Sequence, residues 1–144
     1  MIVWLTGQTG SGKSTLSLEM FYRLAKKRRI LLLDGDDMRY VWGDLGFSAK
    51  DRHENNLRVA RLAKLMEFYF DHIFISVIAP FEKTRKKIFM EILSDIKWIY
   101  VHGGKKVDKD HPYEPPIHVK IDVFPNRETI KEEADKVIRE LNLD

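Results

Sequence analysis

Read for its apolar and polar positions, the chain divides into short buried-type runs separated by amphipathic stretches. Ile2 to Leu5 is apolar throughout, which suits a strand covered on both faces. Helical spacing follows from near Lys13, with Leu16, Met20 and Leu24 on one side, and Lys26 to Arg29 gather where that helix should end. Ile30 to Asp36 reads as a second buried strand, closing on the carboxylates Asp34 and Asp36. Asp37 to Gly46, broken by Gly43 and Gly46, predicts a short helix and a loop. Arg52 to Phe70 is the longest helical stretch, with Val59, Leu62, Ala63, Met66 and Phe70 as its stripe and Ser48 or Asp51 as its cap. His72 to Ala79 predicts a central strand stopped by Pro80, Glu82 to Asp95 a helix, and Lys97 to Val101 another strand. His102 to Pro116 is punctuated by Gly and Pro and predicts a loop. His118 to Phe124 alternates as a last strand, and Asn126 or Arg127 opens a closing helix whose Ile130, Ala134, Val137, Ile138 and Leu141 align. This order predicts an α/β fold, a three-layer sandwich around a mainly parallel central sheet with both faces covered.

Composition narrows the picture. At 144 residues, 44% hydrophobic and 33% charged, the chain predicts one domain over 1–144 with one substantial core. The net charge of +3 is small and spread along the chain, so a nucleic-acid surface is not indicated. With no cysteine there is neither a disulfide framework nor a thiol nucleophile, which accords with a reducing cytosol. The longest apolar runs are too short to cross a bilayer, and the amino terminus lacks the basic start and apolar core of a signal peptide, so a cytoplasmic protein without membrane partners is expected. The five histidines show no metal-ligand spacing, and no structural metal is expected.

The chemistry concentrates in Gly7-Gln8-Thr9-Gly10-Ser11-Gly12-Lys13-Ser14, a GxxxxGKS phosphate-binding loop placed between a predicted strand and a predicted helix. Its glycines let successive backbone N–H groups turn towards phosphate oxygens, and the helix start adds positive potential. Lys13 is expected to reach the β- and γ-phosphates of a nucleotide, and the Ser14 hydroxyl to take one place on Mg²⁺. Gly7, Thr9, Gly10, Ser11, Gly12 and Thr15 complete the nucleotide cradle. Asp34 and Asp36 stand at the carboxyl edge of the second strand, the edge from which the phosphate loop leaves the first, so both are expected near the phosphates.

Beyond the loop, the chain resembles the adenylylsulfate (APS) kinases, P-loop enzymes that move the γ-phosphoryl of ATP to the 3′-hydroxyl of adenosine 5′-phosphosulfate. The resemblance rests on Gly7 to Thr15 (GQTGSGKST), Leu33 to Arg39 (LDGDDMR), Leu45 to Ser48 (LGFS), Asp51 to Asn55 (DRHEN), Arg58 to Ala60, Pro80-Phe81 with Arg85, and Pro112 to Pro116 (PYEPP). It implies a P-loop NTPase-type fold and an ATP-dependent phosphotransferase that uses Mg²⁺. It further implies that Asp36 orients the acceptor hydroxyl or takes its proton, with Asp34 acting nearby. Arg39, Arg52 and Asn55 would contact the phosphosulfate, and Phe47 would form one face of the base site. The implied partners are small-molecule nucleotides, with a homodimer admissible.

The chain also departs from that pattern. His102 to Lys109 (HGGKKVDK) stands where family members carry a long basic lid with a second aromatic wall. Asn56-Leu57 replaces the usual Ile-Arg, Ala79 the usual Ser, Asp37 the usual Asn, and Arg39 to Phe47 is shortened. These departures predict an open acceptor pocket with Phe47 as its aromatic wall and with Lys105 and Lys106 in a solvated turn. They leave two rivals to APS phosphorylation: transfer to another nucleotide-like acceptor, and a nucleotide-binding module without transfer.

Overall fold

A computed structural model describes residues 1–144. Its sheet runs in the order β2-β3-β1-β4-β5, formed by Ile30–Asp34 (β2), His72–Ser76 (β3), Ile2–Thr6 (β1), Ile96–Val101 (β4) and Ile121–Val123 (β5), and every neighbouring pair is parallel. Five helices flank the sheet: α1 (Lys13–Leu24), α2 (Gly35–Trp42), α3 (Ala49–Met66), α4 (Glu82–Glu91) and, after the last strand, α5 (Ile130–Leu141). Parallel neighbours require crossovers; helices supply those between β1 and β4, and the loop after Val101 supplies the one to β5.

Alternation along the central strand assigns the two cores. Ile2 and Trp4 point into the layer shared with α3 and α4, whereas Val3 and Leu5 point into the layer of α1 and α5. Trp4 stacks on Trp98 with ring centroids 5.0 Å apart and donates its indole N–H to Val77 O at 3.0 Å, so this fully buried ring leaves no polar atom unpaired. No helix of the chain is long and apolar enough to cross a membrane.

Several boundaries differ from expectation, each for a local reason. β2 stops at Asp34, not Asp36, because the Asp34 carboxylate accepts from Asp36 N at 3.0 Å and starts α2 at once. Asp36 therefore sits in the first turn of a helix. α3 begins at Ala49 because Ser48, of the two expected caps, accepts from Asp51 N at 3.1 Å. It ends at Met66, with a turn from Glu67, so Phe70 lies beyond it. β3 ends at Ser76, and the next four carbonyls leave the sheet for distant donors: Val77 O takes Trp4, Ile78 O the Thr6 hydroxyl, Ala79 O Arg85, and Pro80 O the N–H of Glu114. α4 closes at Glu91, with Ile88 O accepting from Ile92 N and Leu93 N. β5 keeps three residues of the predicted seven-residue run, and α5 starts at Ile130 behind a capping box of Thr129 and Glu132.

Candidate active site

A cleft of about 690 Å³ opens at the carboxyl edge of the sheet, between the phosphate loop, the start of α2, α3 and the segment Val77 to Pro80. The phosphate loop hugs the sheet: a Cβ at Gly7 would collide with the carbonyl of Val101, so the first glycine is dictated by backbone packing. Lys13 opens α1, is 8% exposed, and donates its Nζ–H to Gln8 O at 3.0 Å. Burial pushes its pKa down to about 8, with Asp34 and Asp36 opposing the shift. The Ser14 hydroxyl donates to Asp34 Oδ2 at 2.6 Å, so the loop and the end of β2 already share an all-oxygen contact.

The second half of the cleft is built from α2 and α3. Asp36 is 87% exposed at its side chain and faces Arg39 Nη1 at 3.5 Å. Arg39 Nε donates to Gly46 O at 3.3 Å, and Arg52 donates from Nε to Phe47 O at 2.7 Å and from Nη2 to Asp110 O at 3.0 Å. Both guanidinium groups lie against the Phe47 ring, at 4.5 Å and 5.5 Å from its centroid. Burial holds both arginines below their ordinary pKa; at Arg39 the Asp36 carboxylate opposes that shift and the Arg52 charge adds to it. Phe47 remains 63% exposed and is the only Phe, Tyr or Trp lining the cleft.

Thr9, Gly10, Gly12, Lys13, Ser14, Thr15, Asp34, Asp36, Arg39, Phe47 and Arg52 all line this one cleft. Gly7 and Ser11 do not line it and support the loop from behind; Ser11 Oγ is buried without a partner. Asn55 also falls outside the lining. It is fully buried, and its Oδ1 accepts from the Trp42 indole N–H at 2.9 Å, so the packing of α2 on α3 engages the carboxamide expected at the acceptor. The next residue, Asn56, lines the cleft instead. Its signal in the sequence is only its spacing of four from Arg52, which places both on one helix face. Asp110 and His111 also line the cleft and carry no local motif.

Those two residues arrive on the segment from His102 to Pro116. It is a loop, as expected, and it runs against the phosphate loop: Lys105 N donates to Thr9 O at 2.8 Å, and Gln8 Nε2 donates to His111 O at 2.8 Å. Gly104 has φ +78°, and a Cβ there would stand 2.6 Å from Thr9 O. The side chains of Lys105 and Lys106 are exposed and do not line the cleft.

Residues 1–116 match the family model described as adenylylsulphate kinase. The adenylyl-sulfate kinase of Penicillium chrysogenum is 32% identical over 94% of this chain and 82% of its own length. That of Halothermothrix orenii is 32% identical over 96% and 88%. The Mycobacterium tuberculosis APS kinase, solved in complex with AMPPNP and APS, superposes with a TM-score of 0.84 at 26% identity, covering 98% of this chain and 96% of that one. With a phosphate loop, a carboxylate pair at the junction of β2 and α2 and two arginines around one cleft, and with relatives of this kind along nearly its whole length, the chain belongs to the adenylylsulfate kinase family.

Proposed function

We propose that this protein is a cytoplasmic ATP-dependent kinase that transfers the γ-phosphoryl group of ATP to the 3′-hydroxyl of adenosine 5′-phosphosulfate. The observation that carries the reading is the meeting of two halves in one cleft, with Lys13 and Ser14 on one side and Asp36, Arg39, Phe47 and Arg52 on the other. A protein that only bound a nucleotide would have use for the first half alone. Family membership and the relative solved with AMPPNP and APS support the same pair of substrates.

In this reading Lys13 gives up its contact with Gln8 O and places its charge against the β- and γ-phosphates, where it offsets the charge of the transferring group. Backbone N–H groups of the loop from Gly10 to Ser14 hold the phosphates in line. The Ser14 hydroxyl and the Asp34 carboxylate fit Mg²⁺, which favours a few hard oxygens completed by water and phosphate, and when bound it supplies further neutralisation of phosphate charge. Asp36, at the rim of α2, accepts the proton of the attacking hydroxyl or orients that hydroxyl. Arg39 and Arg52 bind the phosphosulfate as planar donors suited to oxyanions, and Phe47 stacks on the base.

The short loop and the single aromatic wall favour one second reading, in which the same donor chemistry serves another nucleotide-like acceptor. Incubation with Mg-ATP and a panel of APS, other nucleotides and related activated phosphates separates the two, with products identified by mass. The expected product is APS heavier by one phosphoryl group. Phosphorylation of a different acceptor alone would establish the second reading, and ADP release without any phosphorylated acceptor would refute both.

A further inference from the structure

We infer that Gln8 is a positioning residue, through which a nucleotide bound at the phosphate loop tightens the binding of the acceptor. The inference rests on the kinase reading above and deepens it by naming the joint between the two halves of the cleft. The GxxxxGKS pattern leaves the position of Gln8 free. Yet Gln8 is 5% exposed, does not line the cleft, and has both ends of its carboxamide engaged. Oε1 accepts from Thr9 N at 3.1 Å, within the phosphate loop, and Nε2 donates to His111 O at 2.8 Å, on the loop that follows β4. A side chain outside the cleft acts on substrates only through what it holds.

What it holds leads to the acceptor half. Asp108 Oδ1 accepts from Asp110 N, His111 N and His111 Nδ1 at 2.9, 2.8 and 2.9 Å, so residues 108–111 form one tight turn. In that turn Asp110 O accepts from Arg52 Nη2 at 3.0 Å, and Arg52 Nε donates to Phe47 O at 2.7 Å. The hydrogen bonds therefore run without a break from Thr9 through Gln8, the turn and Arg52 to the aromatic wall. The other tie between the two loops, Lys105 N to Thr9 O at 2.8 Å, lies outside the turn. Phosphates bound by the loop's N–H groups order the phosphate loop. A chain of contacts fixed at one end costs less to order at the other, so the second substrate binds more tightly, and the coupling is reciprocal.

The test measures APS affinity by calorimetry with and without Mg-ADP, at a concentration saturating for each protein, in wild type, Gln8→Leu and Asp108→Ala. ADP lacks the γ-phosphoryl group, so direct contact between donor and acceptor does not enter the result. Leu keeps the bulk of Gln8 and removes both hydrogen bonds, whereas Asp108→Ala loosens the turn and leaves the phosphate loop unaltered. Thermal melts check folding. The expected result is that ADP tightens APS binding by about fivefold or more in wild type and by less than about twofold in either variant. Amide hydrogen exchange at Asp110 and His111 should slow on ADP binding in wild type and not in Gln8→Leu. Should Gln8→Leu fail to fold, Asp108→Ala decides alone. A wild type whose APS affinity ignores ADP, or variants that keep the full wild-type ratio, would overturn the inference, and transfer to APS in the same protein would leave the kinase reading standing. A wild-type chain that neither binds nor phosphorylates APS would remove the kinase reading, and this inference with it.

Discussion

At Lys13, burial and charge pull in opposite directions. Its folded pKa of about 8 lies below the ordinary 10.5, so the charged ammonium is penalised at every pH below about 8, and the penalty is relieved as pH rises from there to 10.5. Binding of a polyphosphate needs the charged form. We predict that kcat/KM for ATP falls about tenfold per unit above pH 8, whereas kcat, measured with phosphates holding the proton in place, stays level to higher pH. A pH profile of both constants checks this, and a kcat/KM that stays level through the alkaline range would contradict it. Lys13→Ala should remain folded by circular dichroism and lose roughly 10²- to 10³-fold in transfer rate. Asp36 offers the complementary case. Its carboxylate is exposed and meets only Arg39, at 3.5 Å, so Asp36→Asn should barely move the melting temperature. Its kcat should drop by about 10²- to 10⁴-fold while ATP affinity holds. A parallel loss of ATP binding would mean that Asp36 serves the metal.

Among the elements, the loop from His102 to Pro116 has taken on more than a connection. It ties the phosphate loop at Thr9 and Gln8 to α3 through Arg52 and Asp110. Gly103 and Gly104 both have positive φ, at +87° and +78°, but only Gly104 lies against the phosphate loop; a Cβ at Gly103 meets nothing within 4 Å. Gly103→Ala should therefore cost only the backbone strain, about 1 to 2 kcal/mol. Gly104→Ala should cost more and also weaken ATP binding, because the backbone of Thr9 or of the loop must move. Melting temperatures and ATP titrations of the two variants give the comparison. Equal ATP affinity in both would show that the loop does not brace the nucleotide site.

Over the whole molecule, the short loop from His102 to Pro116 leaves the cleft with Phe47 as its one aromatic wall. A lid excludes water and completes the site around both substrates. One absent stacking partner for the acceptor base corresponds to about 1 to 3 kcal/mol, or roughly 5- to 150-fold in affinity. We predict weak saturation by APS together with ADP release that exceeds product formation, and parallel assays of both quantities test it. Lys105→Ala/Lys106→Ala should leave both unchanged, since these side chains are solvated and the contact of Lys105 with Thr9 is made by its backbone. Tight APS binding with no excess ADP would show that the residues present close the site unaided.

The phosphate loop, the kinds of elements and their order were legible in the chain itself, because glycine spacing and apolar period are local properties that survive any packing of those elements. Strand ends were less so. β3 stops at Ser76 because the indole of Trp4 and the hydroxyl of Thr6, some seventy residues away, draw the following carbonyls out of the sheet. That Asp34 and Asp36 would stand beside the phosphate loop was legible, but not that they would be the cap and a first-turn residue of one helix. The choice between Asn55 and Asn56 belonged to the tertiary structure alone. Adjacent helix residues point about 100° apart, and only the docking of α2, with Trp42 holding Asn55, turns Asn56 towards the cleft. Asp110 and His111 reach the site for a similar reason. Their loop has no periodicity to read, and its path is decided by where the backbone of the phosphate loop allows Gly104 to approach.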